Sequence, residues 1–230
     1  MLVTKGAESL THPEKRTPLK LLSAFKNYIS ILTNFPFMAH TLIWCLMFSM
    51  VIVFIANLSL IFVDYLQVSK EVFGYYQAAI MGTFFAGSMS SAYLIKKIGM
   101  VSTKVLGSVI YVVGIGMLAI LTFLGINSPL ILIVAMSLGS IGSALAMTIY
   151  FSYSMAFIDG HLKGYGMSLT QSVRMFLSSG LVWLAAHKFD GSTLPMTVLA
   201  LACIAICGTL YILLYRRNQH LATAASLEAK

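Results

Sequence analysis

The sequence predicts an all-α polytopic membrane protein with six transmembrane helices, and three observations carry that reading. Of 230 residues, 59% are hydrophobic and only 10% charged, with a mean hydropathy of +0.89. A soluble domain could not carry that much apolar surface without exposing it, whereas a polytopic membrane protein requires it. The apolar residues fall into six runs, each long enough to cross a bilayer core of ~30 Å as a helix of ~20 residues. Between the second and third lies a short basic break, Ala92–Lys104, in which Lys96, Lys97 and Lys104 read as one tight loop. Short loops rich in Lys and Arg stay cytoplasmic, so this loop sets the direction of every other helix.

Residues 1–37 read as a cytoplasmic arm. Thr17-Pro18 has the pattern of an N-cap followed by proline at the first helical position. Leu21, Leu22, Phe25, Tyr28, Ile29 and Leu32 then recur at helical spacing, opposite Lys20, Ser23, Lys26, Asn27 and Ser30. That pattern predicts an amphipathic helix on the membrane surface, or else a lead-in turn to the first span. Asn34-Phe35-Pro36 ends it. No uninterrupted apolar run of signal-peptide length precedes Phe35, so the first span is expected to serve as its own insertion signal.

The six-helix domain, 38–215, is expected to hold spans at Met38–Val63, Phe73–Ile95, Val105–Leu124, Leu130–Ile158, Gly166–His187 and Leu194–Tyr215, with 216–230 as a cytoplasmic tail. Asn127-Ser128-Pro129 and Asp190-Gly191 are turn signals between spans. With these boundaries one side receives Lys5, Lys15, Arg16, Lys20, Lys26, Lys96, Lys97, Lys104, Lys163, Arg216, Arg217 and Lys230. The other receives only Lys70 and Lys188, so both termini are expected to be cytoplasmic. Tyr65, Tyr75 and Tyr76 fit an aromatic belt at the outer interface. Gly82, Ala86 and Ser90 in the second span, and Gly139 and Ser143 in the fourth, are expected to let helix backbones approach closely.

The net charge of +8 raises nucleic acid as a partner, but the cations are dispersed among short loops and the two ends. The expected partner is the lipid bilayer, with no nucleic acid. Cys45, Cys203 and Cys207 all fall within apolar runs; without a His or carboxylate beside them they read as packing residues, with no disulfide, metal or cofactor indicated. His40, His187, Asp64 and Asp159 lie at span ends, which leaves no paired carboxylates, metal cluster or intramembrane nucleophile in the core, so an enzyme is not expected. A channel would be expected to show a re-entrant filter or a ring of charge, and the loops are too short for the former.

Around the basic break the sequence resembles the major facilitator superfamily. That family carries a loop of the form G-x-L-x-D-R-x-G-R-K after the second helix of each six-helix half. Leu94, Lys97 in place of Arg, and Gly99 fit it, whereas Ala92 replaces Gly, Lys96 replaces Asp and Met100 replaces Arg. With the Asp lost, the motif reads as a topological anchor. Glu8-Ser9-Leu10, the basic arm, the amphipathic helix and Asn34-Phe35-Pro36-Phe37 further resemble the central loop of bicyclomycin-resistance-type drug exporters. Gly166-Met167-Ser168 loosely resembles the opening of their eleventh helix. The resemblance implies the second six-helix half of a twelve-helix transporter in a bacterial inner membrane. It implies efflux of a drug or metabolite, proton-coupled, in company with a separate first half or a second copy. A split-gene or truncated membrane subunit with an assembly role, or a transporter of another substrate class, stays open.

The resemblance also implies that the first, second, fourth and fifth spans line the substrate cavity. Asn57, Gln77, Gln171 and Arg174 lie in those spans, with Tyr150 and Ser154 as further candidates. Asn57 and Gln77 both belong to the outer third and are expected within reach of each other, as substrate contacts or as an interhelical hydrogen bond. Arg174 follows Lys163 by 11 residues, about 16 Å along a helix and close to the bilayer midplane. Ser168, Gln171 and Arg174 make one polar stripe, with Ser178 a turn beyond. Two roles remain open for Arg174, one facing a watery cavity and one clamping the fourth and fifth spans through Tyr150 or Ser154.

Overall fold

The computed structural model describes residues 21–228, all of them in helices or the short connections between them. The Glu8-Ser9-Leu10 motif and the Thr17-Pro18 cap lie outside the described residues. Seven α-helices follow in order: α1 (Leu21–Leu32), α2 (Phe35–Ser59), α3 (Lys70–Ile98), α4 (Met100–Phe123), α5 (Pro129–Ala156), α6 (Lys163–His187) and α7 (Leu194–Glu228). A π-helical turn, Leu60–Tyr65, prolongs α2. Five segments are long and apolar enough to cross a membrane: α2 with its extension, α3, α4, α5 and α7 up to Arg217. The chain is a polytopic all-α membrane protein. The expected fifth span is present as α6, 25 residues long, but its Ser, Gly, Gln, Arg and Lys residues leave it outside those five.

The sequence dictates most helix ends. Asn34 caps α2, its Oδ1 accepting from Phe37 N at 3.2 Å, with Pro36 in the first turn. Its Nδ2 also donates to Phe157 O at 2.8 Å, which ties the start of α2 to the end of α5. Ser69 caps α3 and Ser128 precedes Pro129 at the start of α5. Asp190 Oδ1 accepts from Ser192 N and Oγ, folding the turn before α7. The segment 216–230, expected as a tail, continues α7 as helix to Glu228.

The basic break differs most from expectation. α3 runs on to Ile98 and α4 begins at Met100, so a single residue, Gly99, separates them. Its φ of 85° and ψ of 162° lie in a region open essentially to glycine alone. Lys96 and Lys97 occupy the last turn of α3, where cations suit the helix dipole. Lys104 is no loop cation: it lies one turn inside α4 and is half-buried. Helices do not stop where apolarity stops, because Ala, Leu, Ile and Lys all sustain helix.

The core lies between α2 and α5, with Met50, Val53, Phe54 and Leu58 of the one and Leu132, Ala135 and Met136 of the other buried. The same pairs of helices meet when α2 is exchanged with α5, α3 with α6 and α4 with α7, although α4 packs far more extensively on α5 than α7 does on α2. α3 packs on α5 as α6 packs on α2, and α4 packs on α5 as α7 does on α2. The sequence neighbours α2 and α3, like α5 and α6, barely touch. Two three-helix units, α2–α4 and α5–α7, therefore interlock, each resting its second and third helices on the first helix of the other.

The tightest seam joins α4 to α5. A Cβ on Gly142 would strike the backbone of Tyr111, and one on Gly114 the backbone of Gly139. α3 meets α5 through Gly87 and Ser91, the latter donating to Leu145 O at 3.4 Å. The stripe Gly82, Ala86 and Ser90, expected to be a close seam, is rotated away and exposed.

Candidate functional site

α2 and α6 are held side by side along a polar seam. Cys45 Sγ points to Thr170 O at 3.7 Å, and Ser49 Oγ pairs with Ser178 Oγ at 2.9 Å, both within buried surroundings. Thr170, Arg174 and Ser178 recur every four residues on α6, so Arg174 emerges between the two bonds. Its guanidinium lies over two rings of α2, with Cζ 4.6 Å from the Phe48 centroid and 5.7 Å from that of Trp44. Trp44 also packs on Phe151 of α5 at 5.1 Å between centroids. The Nε atom of Arg174 is buried and has no hydrogen-bond partner. The carboxylates Asp64, Glu71, Asp159 and Asp190 stand at helix ends or in loops, remote in sequence from this level of α6.

No family model matches this chain, and no curated protein does. The site therefore rests on its own geometry.

That geometry separates residues the sequence grouped together. Arg174 leans on α2 rather than clamping α5 through Tyr150 or Ser154. Tyr150 is buried with its hydroxyl 3.3 Å from Ser108 of α4, and Ser154 returns its hydroxyl to Phe151 O at 2.8 Å within α5. Asn57 is buried and donates to Val53 O at 3.0 Å on its own helix; no hydrogen bond joins it to half-buried Gln77 of α3 among the described residues. Gln171, one turn before Arg174, is exposed on the uncovered face of α6, beside Ser172, Met175 and Phe176. Ser168 meets the Tyr28 hydroxyl of α1 at 2.8 Å, where Tyr28 also stacks edge-on against Tyr165. α1 is thus docked on the starts of α2 and α6 through Tyr28 and Ile31, and exposes Phe25, Ile29 and Leu32.

The motif residues gather at one end of the bundle. Leu94 is half-buried on α3, Lys97 is exposed with Nζ 5.9 Å from the Tyr93 ring centroid, and Gly99 forms the junction. The start of α2 lies at the same end, with Arg217 5.7 Å from the Phe35 ring centroid. Trp44 and Phe48 are the residues of this candidate site that sequence reasoning missed. Their signal was legible as two aromatics four apart on the first span, but such pairs are common in lipid-facing helices. Only the docking of α6 makes them a shelf for a cation.

Proposed function

We propose that the chain is a six-helix half of a secondary transporter with the major-facilitator architecture, and that it moves small molecules when paired with a second half or a second copy. The observation that carries this is Arg174. A charge near mid-helix in an apolar bundle costs ~2.5–3.5 kcal/mol on insertion scales, so it needs a wet or polar surrounding. Here it is held between aromatic rings with one donor unpaired, beside the exposed Gln171. That arrangement suits an anionic group of a substrate, or a carboxylate from the other half. The interlocked three-helix units support the reading, because inverted repeats with a site at their interface are a common plan of secondary transporters. The exposed faces of α3 and α6 supply surface for the partner.

On this reading all six helices cross the bilayer, α6 being shielded from lipid by the partner. The cluster of Lys26, Lys96, Lys97, Lys163, Arg216 and Arg217 at one end favours cytoplasmic termini in a bacterial inner membrane. Efflux of drugs or metabolites driven by protons is the form of transport that the sequence resemblance favours. The chain is read as having no catalytic role. The test is flux of fluorescent drug-like dyes in proteoliposomes holding the paired assembly, comparing the wild type with Arg174→Lys and Arg174→Gln at equal membrane abundance. We expect both variants to lose flux while the protein stays inserted. Normal flux per molecule with reduced abundance would make Arg174 structural, and full flux by an isolated monomer would end the half-transporter reading.

A further inference from the structure

On a different face of α2, a cavity of about 350 Å³ opens between α4 and α7 at the basic end. Lys104, Ser108 and Tyr111 enter it from one face of α4, at i, i+4 and i+7. The Lys104 ammonium lies 5.0 to 5.5 Å from the ring centroids of Tyr153, Tyr150 and Tyr211, drawn from α5 and α7. Those rings orient the cation but cannot neutralise it, and among the described residues no carboxylate pairs with it. Below it, Ser108 and Tyr150 share one hydrogen bond, which leaves one of the two hydroxyl protons available. Deeper still, the Tyr111 hydroxyl is buried without a partner. The outer wall is apolar and open, with Val105, Val109 and Val112 each about half exposed.

From Lys104 to Val113 the lining descends nine residues, roughly 13 Å along α4 and close to half of a ~30 Å bilayer core. A cation at the headgroup level, hydroxyl donors just below it, and an apolar wall open toward lipid match the order of groups in a glycerophospholipid. We propose that this groove binds an anionic phospholipid, with its phosphate on Lys104, an ester carbonyl at the hydroxyl pair of Ser108 and Tyr150, and one acyl chain along the valine face of α4. The cavity is too small for a partner helix of ~10–12 Å diameter. Its open apolar wall disfavours an anion arriving from water. The surrounding cations at this end add attraction for anionic headgroups.

Native mass spectrometry of the full chain in detergent tests this, with phosphatidylglycerol and phosphatidylcholine of identical chains as probes. We expect retention of phosphatidylglycerol over phosphatidylcholine, at least about tenfold weaker phosphatidylglycerol binding in Lys104→Gln, and retained binding in Lys104→Arg. Val109→Trp, which fills the groove from an exposed position, should weaken binding of both lipids. Equal retention of the two lipids by the wild type overturns the site, as does undiminished phosphatidylglycerol binding by Lys104→Gln. Displacement of the lipid by millimolar inorganic phosphate would mean an anion site and not a lipid groove. If Lys104→Gln is not recovered folded, Val109→Trp decides, and unchanged lipid binding by that variant overturns the proposal.

Discussion

Arg174 and Phe48 face each other across the α2–α6 seam, the guanidinium carbon 4.6 Å from the ring centroid. The contact joins a cation that is expensive in an apolar bundle to a ring whose negative face offsets part of that cost. A desolvated pair of this kind contributes up to ~2 kcal/mol. The same contact leaves Nε unpaired, so the ring stabilises the charge without saturating its donors.

A double-mutant cycle with Phe48→Leu and Arg174→Met should therefore give a coupling energy of about 0.5–2 kcal/mol in thermal unfolding of the detergent-solubilised chain. Phe48→Tyr, which keeps the π face, should retain most of it. A coupling indistinguishable from zero would show that the two side chains are merely neighbours.

Gly142 and Gly116 should behave oppositely on substitution by Ala. A Cβ on Gly142 meets the backbone of Tyr111, which cannot swing aside, so α4 and α5 must separate at a cost of about 1–3 kcal/mol. A Cβ at Gly116 meets nothing within 4 Å, and the better helix former should stabilise by up to about 1 kcal/mol. Unfolding midpoints of the two variants measured side by side check this; equal shifts would mean that the α4–α5 seam is looser than described.

Gly99→Ala should destabilise by about 1–3 kcal/mol although nothing crowds the position, because the cost lies in the backbone conformation and not in contact. Proteolysis at the α3–α4 junction should become faster in that variant. A variant as stable and as protease-resistant as the wild type would place Gly99 in an ordinary region of backbone space.

The hydroxyl pair of Ser49 and Ser178, 2.9 Å apart and buried, should be worth about 0.6 kcal/mol and no more than about 1.7 kcal/mol in a double-mutant cycle with alanine. Either single variant leaves one hydroxyl to find another acceptor, most readily its own helix. The double alanine variant should lose less stability than the two single losses summed, by that coupling energy, and strictly additive losses would show that the two hydroxyls do not act as a pair.

What the sequence determined alone is what depends on one helix at a time. Apolar length located six long helices, because an apolar run of that length is satisfied as helix, but it missed the start of α4 at Met100 and the continuation of α7 past Tyr215 to Glu228. Asn34-Phe35-Pro36 marked the end of α1, and Asn127-Ser128-Pro129 and Asp190-Gly191 marked turns, because capping and turn chemistry act between residues two to four apart. The division into basic and less basic ends also followed from counting. What the tertiary structure decided depends on rotation about helix axes and on which helices meet. Gly82, Ala86 and Ser90 looked like a seam, but α3 turns Gly87 and Ser91 to α5 instead, since a rotation of one residue exchanges two stripes of similar composition. Lys104 looked like a loop cation because it closed a polar stretch, yet the helix begins at Met100 and carries it inward onto rings from α5 and α7. Arg174 was legible as a costly charge near mid-helix. Its partners on α2 were not, because Trp44 and Phe48 lie some 130 residues away in sequence and become neighbours only where α6 crosses to the first helix of the other unit.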